Sequence, residues 1–337
     1  MKLVFTQKQI KIILVISIVL LLTVIFLLIK LYKEKIPVRL FSTREQGGGY
    51  VFTNPLLDFE LPEGYESSTI PSDKARDFVE GISKKENISH ISVYFRDLNN
   101  GPWIGINEKE YFSPASMLKT PLLISLLKWS EKDPEVLEKK VVAEKRFFDE
   151  ALDKNIKTQE SILLGEKYSL FELAKKMIKQ SDNIATAILY ENIPKNYVED
   201  VFTSIGSSFI EEGEDKLIRV KDMAGFYRVL FNSSYLNRDN SEIALSILSD
   251  TSYKDGLSKG IPKDIVIAHK FGERTYLDFI PKNRFVSNGD IQIHDCGIIY
   301  YPSSPYILCV MTRGSNFEIQ ERAIGEISRF FFNEIAN

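Results

Sequence analysis

Segments with the alternating apolar and polar residues of β-strands lie near both ends of the sequence, and helical periodicity fills the part between them. Helical spacing dominates residues 131–248 and returns at the end of the chain over residues 317–333. Because strands need partners, we predict one sheet assembled from segments that are distant in the sequence. The five strand segments are residues 90–98, 103–112, 266–270, 291–300 and 306–312.

The N-terminal part contains an uncharged apolar run, residues 12–29, bounded by Lys11 and Lys30. As a helix this run would span about 27 Å, close to the hydrocarbon thickness of a bilayer. A secretory signal peptide has a shorter apolar region and small residues at its cleavage site, which are missing here. We therefore expect an uncleaved transmembrane signal anchor; a buried helix of a soluble domain is the alternative. Lysines at both ends leave the orientation undecided.

Glycine and proline interrupt every period in residues 31–70, which include a Gly-Gly-Gly run at 47–49. This composition predicts a linker. The expected organisation is a cytoplasmic tip and transmembrane anchor at residues 1–30, a linker at 31–70, and a folded domain at 71–337.

Composition excludes several classes of function. Hydrophobic residues make up 44% of the chain and charged residues 26%, the mixture of a globular protein that can bury a core. The net charge of −3 gives no basic patch for nucleic acid. The histidines His90, His269 and His294 are scattered, and we expect them to lack close cysteine or carboxylate partners. No metal site and no other cofactor is therefore predicted.

The two cysteines, Cys296 and Cys309, fall in one predicted hairpin that turns at residues 302–305. If Tyr301 pairs with Tyr306, the cysteines are diagonal neighbours on one face, which is poor geometry for a bridge. We therefore expect two buried thiols, since a free cysteine packs like a small hydrophobe.

The tetrapeptide Ser116-Met117-Leu118-Lys119 stands at the start of a predicted helix, residues 116–128. Residues at i and i+3 share a helix face, so the serine hydroxyl and the lysine amine can come within hydrogen-bonding distance. A serine nucleophile needs a base, and a desolvated lysine can act as one. Most tetrapeptides of this spacing are solvated helix surface, so the spacing alone is weak evidence.

Two further motifs follow in order. Ser-Asp-Asn at 181–183 stands between two helical segments, where these residue types ordinarily form a cap or a turn. Lys-Phe-Gly at 270–272 ends an apolar strand, and its glycine allows another group to approach the backbone closely. A lysine at a strand end is ordinarily solvated.

In this order, Ser-x-x-Lys, Ser-Asp-Asn and Lys-x-Gly on a strand resemble the motif set of class A β-lactamases and penicillin-binding proteins. The resemblance covers about residues 71–337. It implies an α/β (α+β) fold of the β-lactamase and DD-peptidase kind, with a five-stranded antiparallel sheet flanked by helices and a helical subdomain. Here one N-terminal transmembrane helix precedes that fold. The resemblance also implies an extracytoplasmic domain, which supplies the orientation that the lysines leave open.

The resemblance also implies roles for individual residues. Ser116 is acylated, Lys119 helps to deprotonate it, and Ser181 relays a proton to the leaving amine. Lys270 supplies positive charge toward the substrate carboxylate and toward Ser181. Substrate contacts are expected from the Asn183 side chain, from Phe271 and Gly272, and from the backbone N–H of Glu273, which forms an oxyanion hole with that of Ser116.

Two departures from the family pattern bear on the reaction. Phe271 replaces the threonine of Lys-Thr-Gly and removes a hydroxyl that normally contacts the substrate carboxylate. Such a loss costs about 1–3 kcal/mol where the partner stays buried and unpaired. Class A enzymes also carry a deacylating glutamate between the second and third motifs, and no Glu-x-x-Leu-Asn pattern occurs there. The connection from residue 206 to the helix near Val220 looks compressed, which puts fast release of the acyl group in doubt. The candidates for the glutamate are Glu199, Glu211, Glu212 and Glu214.

The leading interpretation is an acyl-transferring serine hydrolase that acts on β-lactams or D-alanyl-D-alanine-like wall peptides, with slow deacylation or peptidase-like behaviour. Its partners are then a β-lactam or a peptidoglycan stem peptide, and the membrane through the N-terminal helix. The alternative is a non-catalytic relative that binds wall peptide or a partner protein, which Phe271 and the short connection favour. Retention of a nucleophile and its relay argues against that alternative.

Overall fold

The computed structural model describes residues 41–43, 59–61, 70–99, 101–148, 161–207, 209–212, 215–276, 289–302 and 304–336. The predicted anchor at 12–29 lies outside these residues, so the anchor and the domain boundaries stay predictions. Among the residues described, no helix is long and apolar enough to cross a membrane. Contacts divide the chain into two units, residues 1–40 with 61–66, and residues 41–60 with 67–337. All elements from residue 70 onward belong to the second unit.

The elements have the following bounds. The strands are β1 (Phe41–Thr43), β2 (Phe59–Leu61), β3 (His90–Asp97), β4 (Trp103–Ile106), β5 (Tyr111–Phe112), β6 (Lys140–Val142), β7 (Lys167–Ser169), β8 (Ile210–Glu212), β9 (Asp215–Arg219), β10 (Ile267–Thr275), β11 (Ile291–Ile299) and β12 (Tyr306–Gly314). The α-helices are α1 (Ser72–Glu86), α2 (Lys119–Ser130), α3 (Leu170–Lys179), α4 (Asn183–Asn192), α5 (Lys195–Ile205), α6 (Val220–Asn232), α7 (Arg238–Ser249) and α8 (Phe317–Ala336). Short 3-10 helices cover Ala115–Leu118, Pro134–Glu138 and Gly256–Gly260.

One five-stranded antiparallel sheet lies at the centre of the domain, in the order β10-β11-β12-β3-β4. Its strands come from both ends of the sequence, so the predicted assembly from distant segments is confirmed. Strand β10 is the outer strand on one side, which leaves its free edge available to meet another part of the chain. This edge positions the candidate site.

Helices cover both faces of the sheet. Along β12, Leu308 and Val310 join the apolar cluster of α1 and α8, whereas Ile307 and Met311 join the cluster formed with α2 to α7. The alternation follows from the two-residue period of a strand, which sends successive side chains to opposite faces. The predicted helical subdomain therefore packs on one face, and the two flanking helices pack on the other.

Residues 103–112 form two strands rather than the single strand predicted. Strand β4 continues the sheet beside β3, whereas β5 leaves it and pairs with β9. Asn107 turns the chain between them with a φ of 51°, a left-handed conformation that asparagine tolerates better than most residues. The alternation of apolar and polar residues continues in the sequence through this turn. The sequence pattern therefore does not reveal the break between β4 and β5.

The connection between α5 and α6 covers residues 206–219, and its shortness relative to the family stays a prediction. The described residues between Ile205 and Val220 include only the hairpin of β8 and β9, whose second strand pairs with β5. This small sheet lies directly before the turn that carries Ser116.

The pairing of β11 with β12 differs from the predicted register. Ile299 pairs with Tyr306, so residues 300–305 form a longer turn than predicted, and Cys296 lies directly opposite Cys309. The structure joins these two buried residues in a disulfide, with their Cα atoms 4.0 Å apart. The expectation of two separate thiols is therefore wrong, because the turn shifted the register that the sequence suggested.

Two glycines give opposite predictions for stability. A Cβ on Gly260 would collide with the backbone of α8 at Gly325 and Arg329, whereas a Cβ on Gly81 within α1 would meet nothing within 4 Å. We expect Gly260→Ala to lower the free energy of unfolding by about 1–3 kcal/mol through overpacking. The matched Gly81→Ala should be neutral or raise it by up to about 1 kcal/mol, because alanine favours a helix. Urea unfolding of the full-length protein measures both, and equal effects would contradict this account.

Candidate active site

Ser116 lies in the 3-10 helix Ala115–Leu118, directly before α2, and not within the α-helix that the spacing predicts. Ala115 has a φ of 48°, in the left-handed region that residues with a Cβ rarely adopt. Backbone strain of this kind costs about 1–3 kcal/mol and persists only where the surrounding structure holds it. The turn therefore presents Ser116 in a conformation imposed by its neighbours.

Gly272 brings the free edge of β10 against this turn. A Cβ at Gly272 would lie 2.9 Å from the Pro114 carbonyl oxygen and 3.1 Å from the Met117 backbone nitrogen. Only glycine fits that approach without a shift of the backbone. The backbone of Glu273, the next residue on the strand, therefore passes beside Ser116.

His294 holds the segment that enters the turn. Its Nδ1 accepts from the Thr312 backbone N–H at 3.2 Å, so its Nε2 carries the proton and donates to the Ser113 carbonyl oxygen at 2.9 Å. Burial lowers the pKa of His294 to about 3, which keeps the ring neutral in this arrangement. No sequence pattern indicates this contact.

Lys119 is buried, with 3% of its surface exposed, and faces the Ser-Asp-Asn segment. Its Nζ donates to the Ser181 carbonyl oxygen at 2.5 Å, to Ser181 Oγ at 3.0 Å and to Asn183 Oδ1 at 2.7 Å. These acceptors account for the three N–H donors of an ammonium group. The structure thus brings Lys119 to the second motif, and none of these hydrogen bonds goes to the Ser116 hydroxyl.

Lys270 reaches the same serine from the other side. Its Nζ donates to Ser181 Oγ at 3.0 Å and to the Phe271 carbonyl oxygen at 2.9 Å, and the side chain is fully buried. Ser181 adopts a φ of 56°, a left-handed conformation that aims its hydroxyl between the two lysines. Three motifs that are far apart in the sequence therefore meet at one hydroxyl.

Asp182 fixes the loop in this conformation. One oxygen of its carboxylate caps α4 by accepting from the Ala185 backbone N–H at 2.8 Å. The other oxygen accepts from the Ser161 backbone N–H at 2.7 Å and from its hydroxyl at 3.0 Å. The Asn183 side chain follows, and its Nδ2 is buried without a hydrogen-bond partner in the described part of the chain.

The pKa values of Lys119 and Lys270 are both well below the ordinary value of a lysine. Burial lowers the pKa of Lys119 to about 7 from its ordinary value of 10.5, although the carboxylates of Asp182 and Glu273 oppose this change. Burial also holds the pKa of Lys270 well below its ordinary value, and the like charge of Lys119 adds to this effect. Near pH 7 the Lys119 amine can therefore give up and regain a proton, which a solvated lysine rarely does.

A family model described as the beta-lactamase enzyme family matches residues 74–335. The chain belongs to the beta-lactamase enzyme family. No curated protein matches the sequence.

Solved structures share the fold of this chain. A mutant of PBP-A in an acyl-enzyme complex with penicillin G is 19% identical, with a TM-score of 0.65, over 79% of this chain and 97% of that chain. A β-lactamase from Chitinophaga pinensis is 22% identical, with a TM-score of 0.67, over 78% of this chain and 100% of that chain. A β-lactamase from Sphaerobacter thermophilus is 19% identical, with a TM-score of 0.65, over 79% of this chain and 98% of that chain. At such identities the likeness concerns the fold, and the predicted fold class is confirmed.

The structure describes the side chains of two of the four candidates for the deacylating glutamate. Glu199 on α5 and Glu211 on β8 are both exposed. The side chains of Glu212 and Glu214 lie outside the described part. The carboxylates that act on Lys119 are Asp182 and Glu273, and neither stands on the segment where class A members of the β-lactamase family carry their glutamate.

His269 has a carboxylate partner that the sequence pattern does not indicate. His269 Nδ1 lies 2.9 Å from one Asp295 oxygen, and the other oxygen accepts from the Leu257 backbone N–H at 3.0 Å. A Cβ on Gly256 would lie only 2.7 Å from that carboxylate, so glycine lets the 256–260 segment dock there. This buried pair braces the strand residue before Lys270, and the expectation that His269 lacks a close carboxylate is wrong. In the described residues no cluster of side chains could hold a metal ion.

The lowered pKa of Lys119 predicts how the free energy of unfolding depends on pH. Between pH 7 and its ordinary pKa of 10.5, the folded protein binds fewer protons at Lys119 than the unfolded chain does. The free energy of unfolding therefore rises with pH in this window, by at most about 1.4 kcal/mol per pH unit. Below pH 7 both states are protonated and this contribution is flat.

We expect the slope between pH 7 and 9 to be smaller in Lys119→Met than in the unmodified protein. Exposed Lys167 on β7 offers a matched control, and Lys167→Met should keep the original slope. Urea unfolding across this pH range measures the slopes. Identical slopes in all three proteins would show that Lys119 titrates normally.

Proposed function

We propose that this protein is a serine acyl transferase of the hydrolase type, acting on β-lactams or D-alanyl-D-alanine-like wall peptides. The observation that carries the proposal is the Ser181 hydroxyl, held at 3.0 Å from the ammonium nitrogens of both Lys119 and Lys270. A binding surface has no need of two buried amines with lowered pKa values at one hydroxyl. Such clusters are typical of sites that move protons.

In the proposed reaction Ser116 Oγ attacks the carbonyl carbon of the scissile amide. Neutral Lys119 takes the Ser116 proton, directly or through the Ser181 hydroxyl that it already contacts. The developing oxyanion accepts hydrogen bonds from the backbone N–H groups of Ser116 and Glu273. As the C–N bond breaks, Ser181 gives its proton to the leaving nitrogen and regains one from Lys119 or Lys270.

Asn183 is suited to hold the acyl side of the substrate. Its Oδ1 is engaged by Lys119, and its buried Nδ2 has no partner in the described chain. A buried donor without a partner costs about 1–3 kcal/mol, and a substrate carbonyl oxygen would remove this cost. This supports the role that the family resemblance gives to Asn183.

Release of the acyl group by water is proposed to be slow. The hairpin of β8 and β9 occupies the connection between α5 and α6, and Glu199 and Glu211 are exposed. Neither of these two candidates is therefore enclosed in a site, as a base that activates water would be. Peptidase-like or penicillin-binding behaviour follows more naturally than fast β-lactam turnover.

We also propose that the folded domain lies outside the cytoplasm and is held there by a single-pass membrane anchor. The apolar run at residues 12–29 has the length of a transmembrane helix. The Cys296–Cys309 disulfide is also more typical of proteins outside the reducing cytosol. Wall peptides, the proposed substrates, are found on the same side of the membrane.

Acylation is tested with penicillin G and intact-protein mass spectrometry. We expect a covalent adduct of one penicillin per chain, localised to Ser116 by peptide mapping and absent from Ser116→Ala. Ser125→Ala is the matched control, because that hydroxyl donates to the Pro121 carbonyl oxygen within α2 and not to the site. An adduct that persists in Ser116→Ala would overturn the assignment of the nucleophile.

The lifetime of this adduct tests whether water releases the acyl group from Ser116 slowly. After removal of free penicillin, we expect the adduct to persist for far longer than a catalytic turnover, because neither of the two described candidate glutamates is enclosed in a site. Nitrocefin hydrolysis should accordingly stop near one equivalent per chain. Rapid multiple turnover of nitrocefin would contradict slow deacylation while leaving Ser116 as the nucleophile.

A non-catalytic wall-peptide binder is the second candidate. The observation that favours it is Lys119, whose three hydrogen bonds all go to residues 181 and 183. In that case Ser116→Ala should bind muropeptide as tightly as the unmodified protein, and no acylating probe should label either. Labelling of Ser116 excludes this candidate.

A further inference from the structure

Both polar groups of the Ser113 backbone are bound by side chains of β11. Gln292 Oε1 accepts from the Ser113 backbone N–H at 3.0 Å, and His294 Nε2 donates to the Ser113 carbonyl oxygen at 2.9 Å. The two side chains leave the strand on one face, because they are two residues apart. Both are fully buried, so bulk water does not compete for these hydrogen bonds. We call Gln292 and His294 the Ser113 clamp.

The residues before Ser113 are fixed from the same side. The Phe112 ring meets the His294 ring edge-on, with centroids 5.5 Å apart and an interplanar angle of 79°. The neighbouring strand β12 adds a third contact, in which Arg313 Nη2 donates to the Tyr111 carbonyl oxygen at 2.6 Å. Side chains of the central sheet therefore set the position of the chain that enters the turn.

The strained residue Ala115 lies two positions after Ser113, and its φ of 48° is unfavourable for a residue with a Cβ. Beyond it, the Pro114 carbonyl oxygen accepts from the Met117 backbone N–H at 3.0 Å and closes the turn. A chain fixed only on that far side would be free to relax at Ala115 to a right-handed or extended conformation. Because Ser116 follows directly, such a relaxation would redirect its hydroxyl.

We infer that Gln292 and His294 are positioning residues for the acylation of Ser116. By holding both polar groups of Ser113 they keep Ala115 left-handed, and thereby keep the Ser116 hydroxyl in the direction that attack on a carbonyl carbon requires. The inference rests on the proposed function and adds to it two residues that bind backbone and not the reacting atoms. A displacement of about 1 Å at reacting atoms can cost about 100-fold in rate, so contacts of this kind act on the rate constant itself.

Acylation of the full-length protein by penicillin G tests the clamp. Rapid quenching and intact-protein mass spectrometry at several penicillin concentrations separate the rate constant of acylation from the dissociation constant of the complex that precedes it. His294→Leu removes the donor and Gln292→Met removes the acceptor. We expect each to lower the rate constant about tenfold and to leave the dissociation constant within about twofold. His294→Gln retains an N–H donor at the end of the side chain and should keep most of the rate.

Ile327→Ala is the matched structural control. Ile327 is fully buried on α8, in the apolar cluster on the opposite face of the sheet from the clamp. Its truncation lowers stability through a cavity. We expect the rate constant of acylation to stay unchanged, with any unfolded protein appearing as a smaller labelled fraction. The clamp variants would show the same pattern if the clamp only supported folding.

A second substitution tests whether the clamp acts through the strain at Ala115. Glycine adopts a positive φ without the penalty that a Cβ brings. Adding Ala115→Gly to His294→Leu should therefore raise the rate constant at least about threefold above that of His294→Leu alone. In the unmodified protein, where the clamp already holds the turn, Ala115→Gly should change the rate constant little.

Hydrogen exchange supplies a readout that needs no acylation. In the peptide that covers residues 110–118, Gln292→Met and His294→Leu should exchange faster than Ile327→Ala under the same conditions. Unchanged exchange in this peptide, an unchanged rate constant in both folded clamp variants, or an Ala115→Gly substitution that restores nothing would overturn the inference and leave the proposed function intact. An unmodified protein that forms no adduct would overturn the proposed function, and with it the role of the clamp in acylation.

Discussion

Two buried lysines that share one serine hydroxyl are the constraint on which the rest of the site depends. Taking an ammonium group out of water is costly, and a protein tolerates it only with hydrogen bonds or a lowered pKa. Lys119 has both, because the Ser181 and Asn183 oxygens accept its protons and its pKa falls to about 7. The same burial that destabilises the charged lysine lowers its pKa, so the cost in folding and the altered proton affinity have one cause.

The rest of the domain holds two residues of the site in strained backbone conformations. Ala115 and Ser181 both adopt left-handed conformations beside the reacting groups. Asp182 braces one of them by capping α4, and the edge of β10 packs against the other where Gly272 removes a Cβ. The central sheet and its two apolar clusters supply the stability that such strain requires.

The third motif and the connection before Val220 depart most from the family pattern. Phe271 stands where the family pattern has a threonine, and its ring centroid lies 4.0 Å from the Lys270 ammonium nitrogen. The connection between α5 and α6 carries the hairpin of β8 and β9. The lysine and serine groups of the three motifs thus meet in the fold, whereas the departures from the family pattern lie at one strand residue and in one connection.

The sequence by itself determined the order of the three motifs, the strands at both ends of the domain and the compressed connection before Val220, because these depend on residue types and local periods. Only the tertiary structure decided that Lys119 faces Ser181, that His269 meets Asp295, and that Cys296 pairs with Cys309. The break between β4 and β5 also escaped the sequence pattern. The period of a strand or helix predicts which face of the element a side chain occupies. Strand register and long-range partners depend instead on turn lengths and on the packing of distant segments.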